Sequence, residues 1–132
     1  NPTVIVAAAG NDSNRPQSVA PVGNPAACPS IMAVAAVDNA GTVAPFSCGA
    51  VDSAALDLAA PGVNIFSAAL SGGIVPFDGT SMASPHVAGA AALWAESDPS
   101  LRGRALWGKL LSTVASLKGT VNDVGAGLVQ VP

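Results

Sequence analysis

Ser81 is the residue of this chain best placed to do chemistry. It stands in Gly79-Thr80-Ser81-Met82-Ala83-Ser84-Pro85-His86-Val87-Ala88-Gly89, a glycine turn running into an apolar helix. A hydroxyl at such a helix start sits where the N-terminal end of the macrodipole favours developing negative charge. For a lone Gly-Thr-Ser the plainer reading is that Thr80 or Ser81 is an ordinary N-cap. Acyl transfer by serine also needs a base, and a group that orients the base. The chain has one histidine, His86, five positions after Ser81. Five helical steps of about 100° turn it roughly 140° away from Ser81 and carry it about 7.5 Å along the axis. His86 is therefore expected to be a helix histidine with a local hydrogen bond, and not the base.

The elements that must position Ser81 alternate between strand and helix. Residues 3–9 (Thr-Val-Ile-Val-Ala-Ala-Ala) form a continuous apolar run, expected as a strand buried on both faces, and residues 30–37 form a second. A turn follows at Asp38-Asn39-Ala40-Gly41. Residues 56–59 are a short strand ended by Pro61-Gly62, and residues 63–69 and 74–77 flank Ser71-Gly72-Gly73 as a β-hairpin. The nucleophile helix is expected from 81 to about 96, with Pro85 tolerated near the first turn, where backbone N–H groups lack partners. Its Val87, Ala88, Ala91, Leu93 and Trp94 surround the axis, which predicts a helix buried all round. A second helix over 101–116 carries Leu101, Ala105, Leu110, Leu111 and Val114 at amphipathic spacing. Residues 11–29, rich in Pro, Asn and Ser, are the one linker-like stretch. Buried strands alternating with helices predict an α/β fold with a doubly wound parallel sheet.

The segment from Gly79 to Gly89 resembles the nucleophile segment of the subtilisin-like serine proteases, the subtilases, with Ser81 in the nucleophile's place. The resemblance implies a triad in the chain order Asp, His, Ser, so both partners of Ser81 should lie upstream of Asn1. Residues 1–132 are then expected to be the C-terminal portion of a catalytic domain, with an incomplete doubly wound sheet and a small antiparallel hairpin before the nucleophile helix. Ala7-Ala8-Ala9-Gly10-Asn11 by itself reads as a strand leaving through a turn. Beside the Ser81 segment it resembles the family's strand end that supplies the oxyanion donor, with Asn11 as that donor. The Asn11 side-chain amide and the Ser81 backbone N–H would together meet the need for donors where charge develops in a tetrahedral intermediate. The resemblance also implies an extended peptide bound along Ala8, Ala9 and Gly10, with Gly23 in the floor of the specificity pocket and Thr80 among the substrate-binding residues. Asn11-Asp12-Ser13 is in addition a glycosylation sequon, but a sugar there would block the site.

Composition narrows the remaining readings. At 132 residues the chain is one domain's worth at most, and half of it is hydrophobic. A net charge of −3, with few lysines and arginines, gives no footprint for nucleic acid. No signal peptide is visible and no apolar run is long enough to span a bilayer; a secreted location is implied by the resemblance alone. Where the family resemblance implies carboxylates for a secondary cation site, the Ala- and Val-rich stretch just after Phe46-Ser47-Cys48 holds only Asp52 and Asp57, so no cofactor or metal is expected in this chain, and calcium is left as possible in the full-length parent. Cys28 and Cys48 are too few for a metal site; a disulfide is expected of them in a secreted protein, with a pair of free buried thiols as the alternative.

The function these residues predict is that of a serine endopeptidase acting through an acyl-enzyme on Ser81. Its partners would be a peptide or protein substrate and the missing N-terminal half. Alone, the chain is expected to be inactive, and to self-associate through the open edge of its first strand. The alternative from another class is a non-catalytic pseudoprotease or peptide-binding module. An α/β-hydrolase is disfavoured, because Gly79-Thr80-Ser81-Met82-Ala83 lacks the second glycine of a nucleophile elbow.

Overall fold

A computed structural model of the chain describes residues 2–52 and 54–132. Asn1, from which the upstream continuation is expected, lies outside that description, as does Ser53. Strands β1 (Val6–Ala8), β2 (Met32–Val37) and β3 (Leu58–Pro61) form a parallel sheet in that order, and β4 (Ile65–Ala68) pairs antiparallel with β5 (Ile74–Phe77). Helices α1 (Thr80–Ser97), α2 (Gly103–Ser112) and α3 (Val121–Val124) follow.

The pleat of β2 divides the core in two. All six of its residues are buried, and successive side chains leave on opposite faces. Met32, Val34 and Ala36 meet Leu58, Ala60 and the helix residues Ala83, Val87, Ala90, Leu106 and Leu110. Ala33, Ala35 and Val37 meet Ala9, Val22, Ala26, Cys48, Leu56 and Val124 on the other side. An apolar parallel strand needs cover on both faces; α1 and α2 give one cover, and the loops with α3 give the other.

Several expected elements change in detail. β1 is shorter than 3–9 and all three of its residues are only partly buried, because it is an edge strand of the described sheet and pairs on one side. The strand expected at 56–59 shifts to Leu58–Pro61, where its pairing with β2 runs from Val34↔Leu58 to Val37↔Pro61. α1 is not buried all round. Thr80, Ala83, Val87, Ala90 and Ala91 form one buried stripe, while Leu93 is 46% exposed: the spacing that fits one helix face to the sheet turns the other face outward. α2 is shorter than expected and buries Leu106 and Leu110, with Ala105 exposed.

Residues 11–29 are no linker. Ser13 N–H donates to Phe46 O at 3.1 Å, Arg15 N–H to Pro45 O at 2.9 Å and Val22 N–H to Gly49 O at 3.1 Å, so this segment is zipped to residues 45–49. The expected disulfide is also corrected. Cys28 and Cys48 are free thiols, one exposed and the other buried. Cys28 Sγ lies 3.2 Å from Ser30 Oγ at the surface, whereas Cys48 faces Gly10 in the core.

Candidate active site

The turn before α1 is pressed against the sheet by two glycines. Gly62 N–H donates to Val37 O at 2.9 Å, and Gly62 O accepts from Gly79 N–H at 2.8 Å. A Cβ on Gly62 would stand 2.5 Å from Ala36 Cβ, so only glycine permits this approach. Gly79 then occupies the N-cap position and has no side chain with which to cap. Thr80 and Ser81 are inside the helix, which excludes the plain N-cap reading of either residue.

The orphan amide at the helix start is met from across the fold. Asn11 leaves the carboxyl end of β1, and its Oδ1 accepts from Thr80 N–H and from Thr80 Oγ1–H, each at 2.9 Å. Thr80 Oγ1 in turn accepts from Gly10 N–H at 3.1 Å. Thr80 is fully buried, so the expected substrate contact is replaced by a supporting one: it holds Asn11 and Gly10 from beneath.

With Oδ1 fixed, the rest of the Asn11 amide is fixed as well. The point a Cβ would occupy on Gly79 lies 3.5 Å from Asn11 Nδ2 and 3.7 Å from the Ser81 backbone nitrogen. Both donors therefore border one small space that glycine leaves empty. Met82 N–H and Ala83 N–H turn back to Gly79 O at 3.0 and 3.3 Å. Among the described residues, Ser81 N–H is thus the first-turn amide left to donate outward.

Ser81 is exposed. It opens on a cavity of about 310 Å³ lined by Ile65, Phe66 and Ser67 of β4 and by Met82, Pro85 and His86 of α1. His86 Nδ1 lies 2.8 Å from Met82 O, one turn back, the local hydrogen bond expected of it. Pro85 is the sixth helical residue, beyond the turn where its missing N–H would go unnoticed, so the Ser81 carbonyl lacks its usual donor.

The residues expected along the substrate gather at the carboxyl end of β1, where doubly wound folds bind their ligands. Their backbone groups are used unevenly. Ala9 N–H donates to Val34 O at 3.0 Å, and Ala9 O accepts from Gly23 N–H at 2.8 Å. Gly10 gives its N–H to Thr80, and its carbonyl accepts from Cys48 N–H at 3.0 Å. The register of β1 on β2 leaves the backbone groups of Ala8 on the side away from β2. Main-chain pairing is thus available at Ala8, while the backbone groups of Ala9 and Gly10 are already hydrogen-bonded within the chain. Gly23, exposed, is brought beside them by its bond to Ala9. A larger cavity, about 880 Å³, lies at the amino ends of the strands beside Thr3, Asp57 and Arg104, remote from Ser81.

Asp57 and Asp123 are shifted from the usual carboxylate value in opposite directions. Burial pushes the Asp57 pKa up, and the bond from Ala33 N–H at 2.7 Å only partly offsets this. For Asp123 burial works in the same direction but is outweighed: the hydrogen bond from Thr120 and the Arg15 guanidinium hold its pKa below the usual carboxylate value. Arg15 also donates from Nε to Ser47 O at 3.0 Å, so it straps the loop after Asn11 to residue 47 and to α3. Sequence reasoning missed Arg15; the signal was a single cation in a segment otherwise without positive charge. Among the described residues no three His, Cys, Asp or Glu side chains gather as metal ligands.

An exposed serine hydroxyl and two donors that border one space beside Gly79 are some of the parts that acyl transfer by serine requires, the base and its orienting group being the others. Comparison with known proteins then supplies the family: residues 1–127 match the model of the subtilase family, peptidase S8, and the chain belongs to it. It is 42% identical over 128 residues to a subtilisin of Bacillus pumilus and 43% identical over 128 residues to subtilisin DY of Bacillus licheniformis. Each match takes in 97% of this chain and 45% of the relative. The solved structure of sphericase superposes with a TM-score of 0.87 at 30% identity, over 99% of this chain and 49% of that one. The chain spans about half the length of the relatives it matches.

Proposed function

We propose that this chain is the C-terminal portion of a subtilase catalytic domain, and that the protein it belongs to is a serine endopeptidase. In this reading Ser81 Oγ attacks the carbonyl carbon of a peptide bond while its proton passes to a histidine of the other portion, oriented there by an aspartate. The tetrahedral intermediate collapses, the C–N bond breaks, and the leaving amine takes that proton. Water then hydrolyses the acyl ester and restores the Ser81 hydroxyl. Asn11 Nδ2 and Ser81 N–H hold the oxyanion, Ala8 pairs with the extended peptide, and Ala9, Gly10 and Gly23 shape the pocket. Among the described residues no cluster of His, Cys, Asp or Glu could hold calcium, and any calcium site is proposed for the full-length parent. The family relationship supports a secreted protein.

The single observation that carries this reading is the space beside Gly79 bordered at 3.5 and 3.7 Å by Asn11 Nδ2 and Ser81 N. The experiment is peptide hydrolysis by the full-length protein and its Ser81→Ala variant. Loss of cleavage in the variant, with peptide binding retained, supports the protease. A full-length protein that binds peptides and cleaves none replaces this reading with a non-catalytic peptide-binding module.

A further inference from the structure

Cys48 grips the chain on both sides of Asn11. Its backbone N–H donates to the carbonyl of Gly10 at 3.0 Å, and its Sγ accepts from Asp12 N–H at 3.4 Å. The carbonyl of Gly10 belongs to the peptide plane that enters Asn11, and the N–H of Asp12 belongs to the plane that leaves it. Each plane is rigid, so holding both fixes φ and ψ of Asn11, and with them the direction in which its side chain departs. The thiol is fully buried and lies against Gly10, where an added Cβ would come within 2.9 Å of the sulfur. Thr80 secures the far end of the same side chain through Oδ1.

We propose that Cys48 is a positioning residue for the oxyanion donor: it sets the backbone of Asn11 and thereby the aim of Nδ2. This rests on the reading of Asn11 as that donor. A free thiol suits the place chemically. Sulfur on a long bond to Cβ reaches the Asp12 amide from a residue small enough to fit beneath Gly10, and a cysteine engaged in a disulfide would be drawn away from it.

The test uses the full-length protein, with kcat expressed per titrated active site. Cys48→Ala is expected to lower kcat about three- to tenfold at unchanged KM, the scale of one misaimed hydrogen bond. Cys48→Ser, which keeps an acceptor, should recover most of that loss. In an Asn11→Ala background the Cys48→Ala change should alter kcat by less than about 1.5-fold, since a residue acting through Asn11 has nothing left to aim. Equal losses in both backgrounds, or an undiminished kcat in folded Cys48→Ala, overturn the proposal. Amide exchange on the unmodified protein tests it without any variant. The Asp12 N–H should be protected although Asp12 is exposed, and exchange at the unprotected rate also overturns it. Undiminished kcat in Asn11→Ala alone would instead remove the donor assignment itself, and is read before Cys48 enters.

Discussion

Asn11 and Thr80, 69 residues apart in the chain, are joined twice, with the backbone N–H and the hydroxyl of Thr80 both donating to Asn11 Oδ1 at 2.9 Å. The hydroxyl also takes the Gly10 N–H, so one buried side chain ties the end of β1 to the start of α1. The helix start is thereby capped by a residue from outside the helix, and that residue's amide nitrogen lies 3.5 Å from the point a Cβ would occupy on Gly79.

Thr80→Val keeps the shape and removes both hydroxyl bonds. In the full-length protein it should lower kcat about tenfold and destabilise the fold by about 1–3 kcal/mol, since the Gly10 N–H loses its acceptor. Asn11→Ala should cost more, about 10²–10³-fold in kcat; that magnitude is the one measured in subtilisin itself, a relative of this chain, and does not come from the present geometry. Steady-state kinetics and urea melts of both variants check this. A larger kcat loss in Thr80→Val than in Asn11→Ala would contradict the supporting role.

His86→Ala should leave kcat within about twofold and lower stability by no more than about 1 kcal/mol, because the ring is exposed and bonded to its own helix at Met82 O. A pH–rate profile that lost its base limb in this variant would make His86 the base and displace the upstream histidine.

The two thiols should differ in reactivity. Cys28 is exposed, and hydrogen bonding from Ser30 lowers its pKa, so it should be alkylated in the native protein faster than a free cysteine thiol. Cys48 should react only on unfolding, after which two thiols are counted without any reductant. A count of none in unreduced, unfolded protein would restore the disulfide.

Asp57 and Asp123 predict opposite responses to acid. The native pKa of Asp57 is raised, so its ionised form opposes folding. That penalty is complete above the native value and disappears as pH falls toward about 3.9, the unfolded value. Asp57→Asn keeps an acceptor for Ala33 N–H and should raise the melting temperature at pH 7, by an amount that shrinks toward pH 4. The native pKa of Asp123 is depressed, so its contribution is present above the unfolded value and is lost as pH falls through the native one. Asp123→Asn should therefore destabilise at pH 7 and lose its effect in strong acid. Thermal melts across this range check both, and pH-independent shifts would contradict both.

The parts of the site that lie together in the chain were legible in the sequence. Ser81 declares itself because the residues around it are contiguous, and His86 is set aside by helical geometry alone. The hairpin was visible from Gly72-Gly73, whose positive φ values of 85° and 81° suit a tight turn that glycine adopts without strain. What escaped depends on meetings between distant segments. Thr80 reads as surface chemistry until Asn11 is seen above it, and Cys48 reads as half of a disulfide until its bonds to Gly10 and Asp12 appear. α1 looked buried all round because alanine occupies both its faces, and composition alone does not say which face meets a sheet. α3 has four residues, too short for any periodicity to show.

Labelling with a fluorophosphonate is the most direct test of Ser81 as nucleophile, because the reagent reacts rapidly with a serine only when a base activates it. In the full-length protein, fast, stoichiometric modification is expected, located at Ser81 by peptide mapping and abolished in Ser81→Ala, while Ser81 of the isolated 132-residue chain should react no faster than an ordinary serine. Rapid labelling of the isolated chain at Ser81, or labelling of the full-length protein at a different serine, would contradict it.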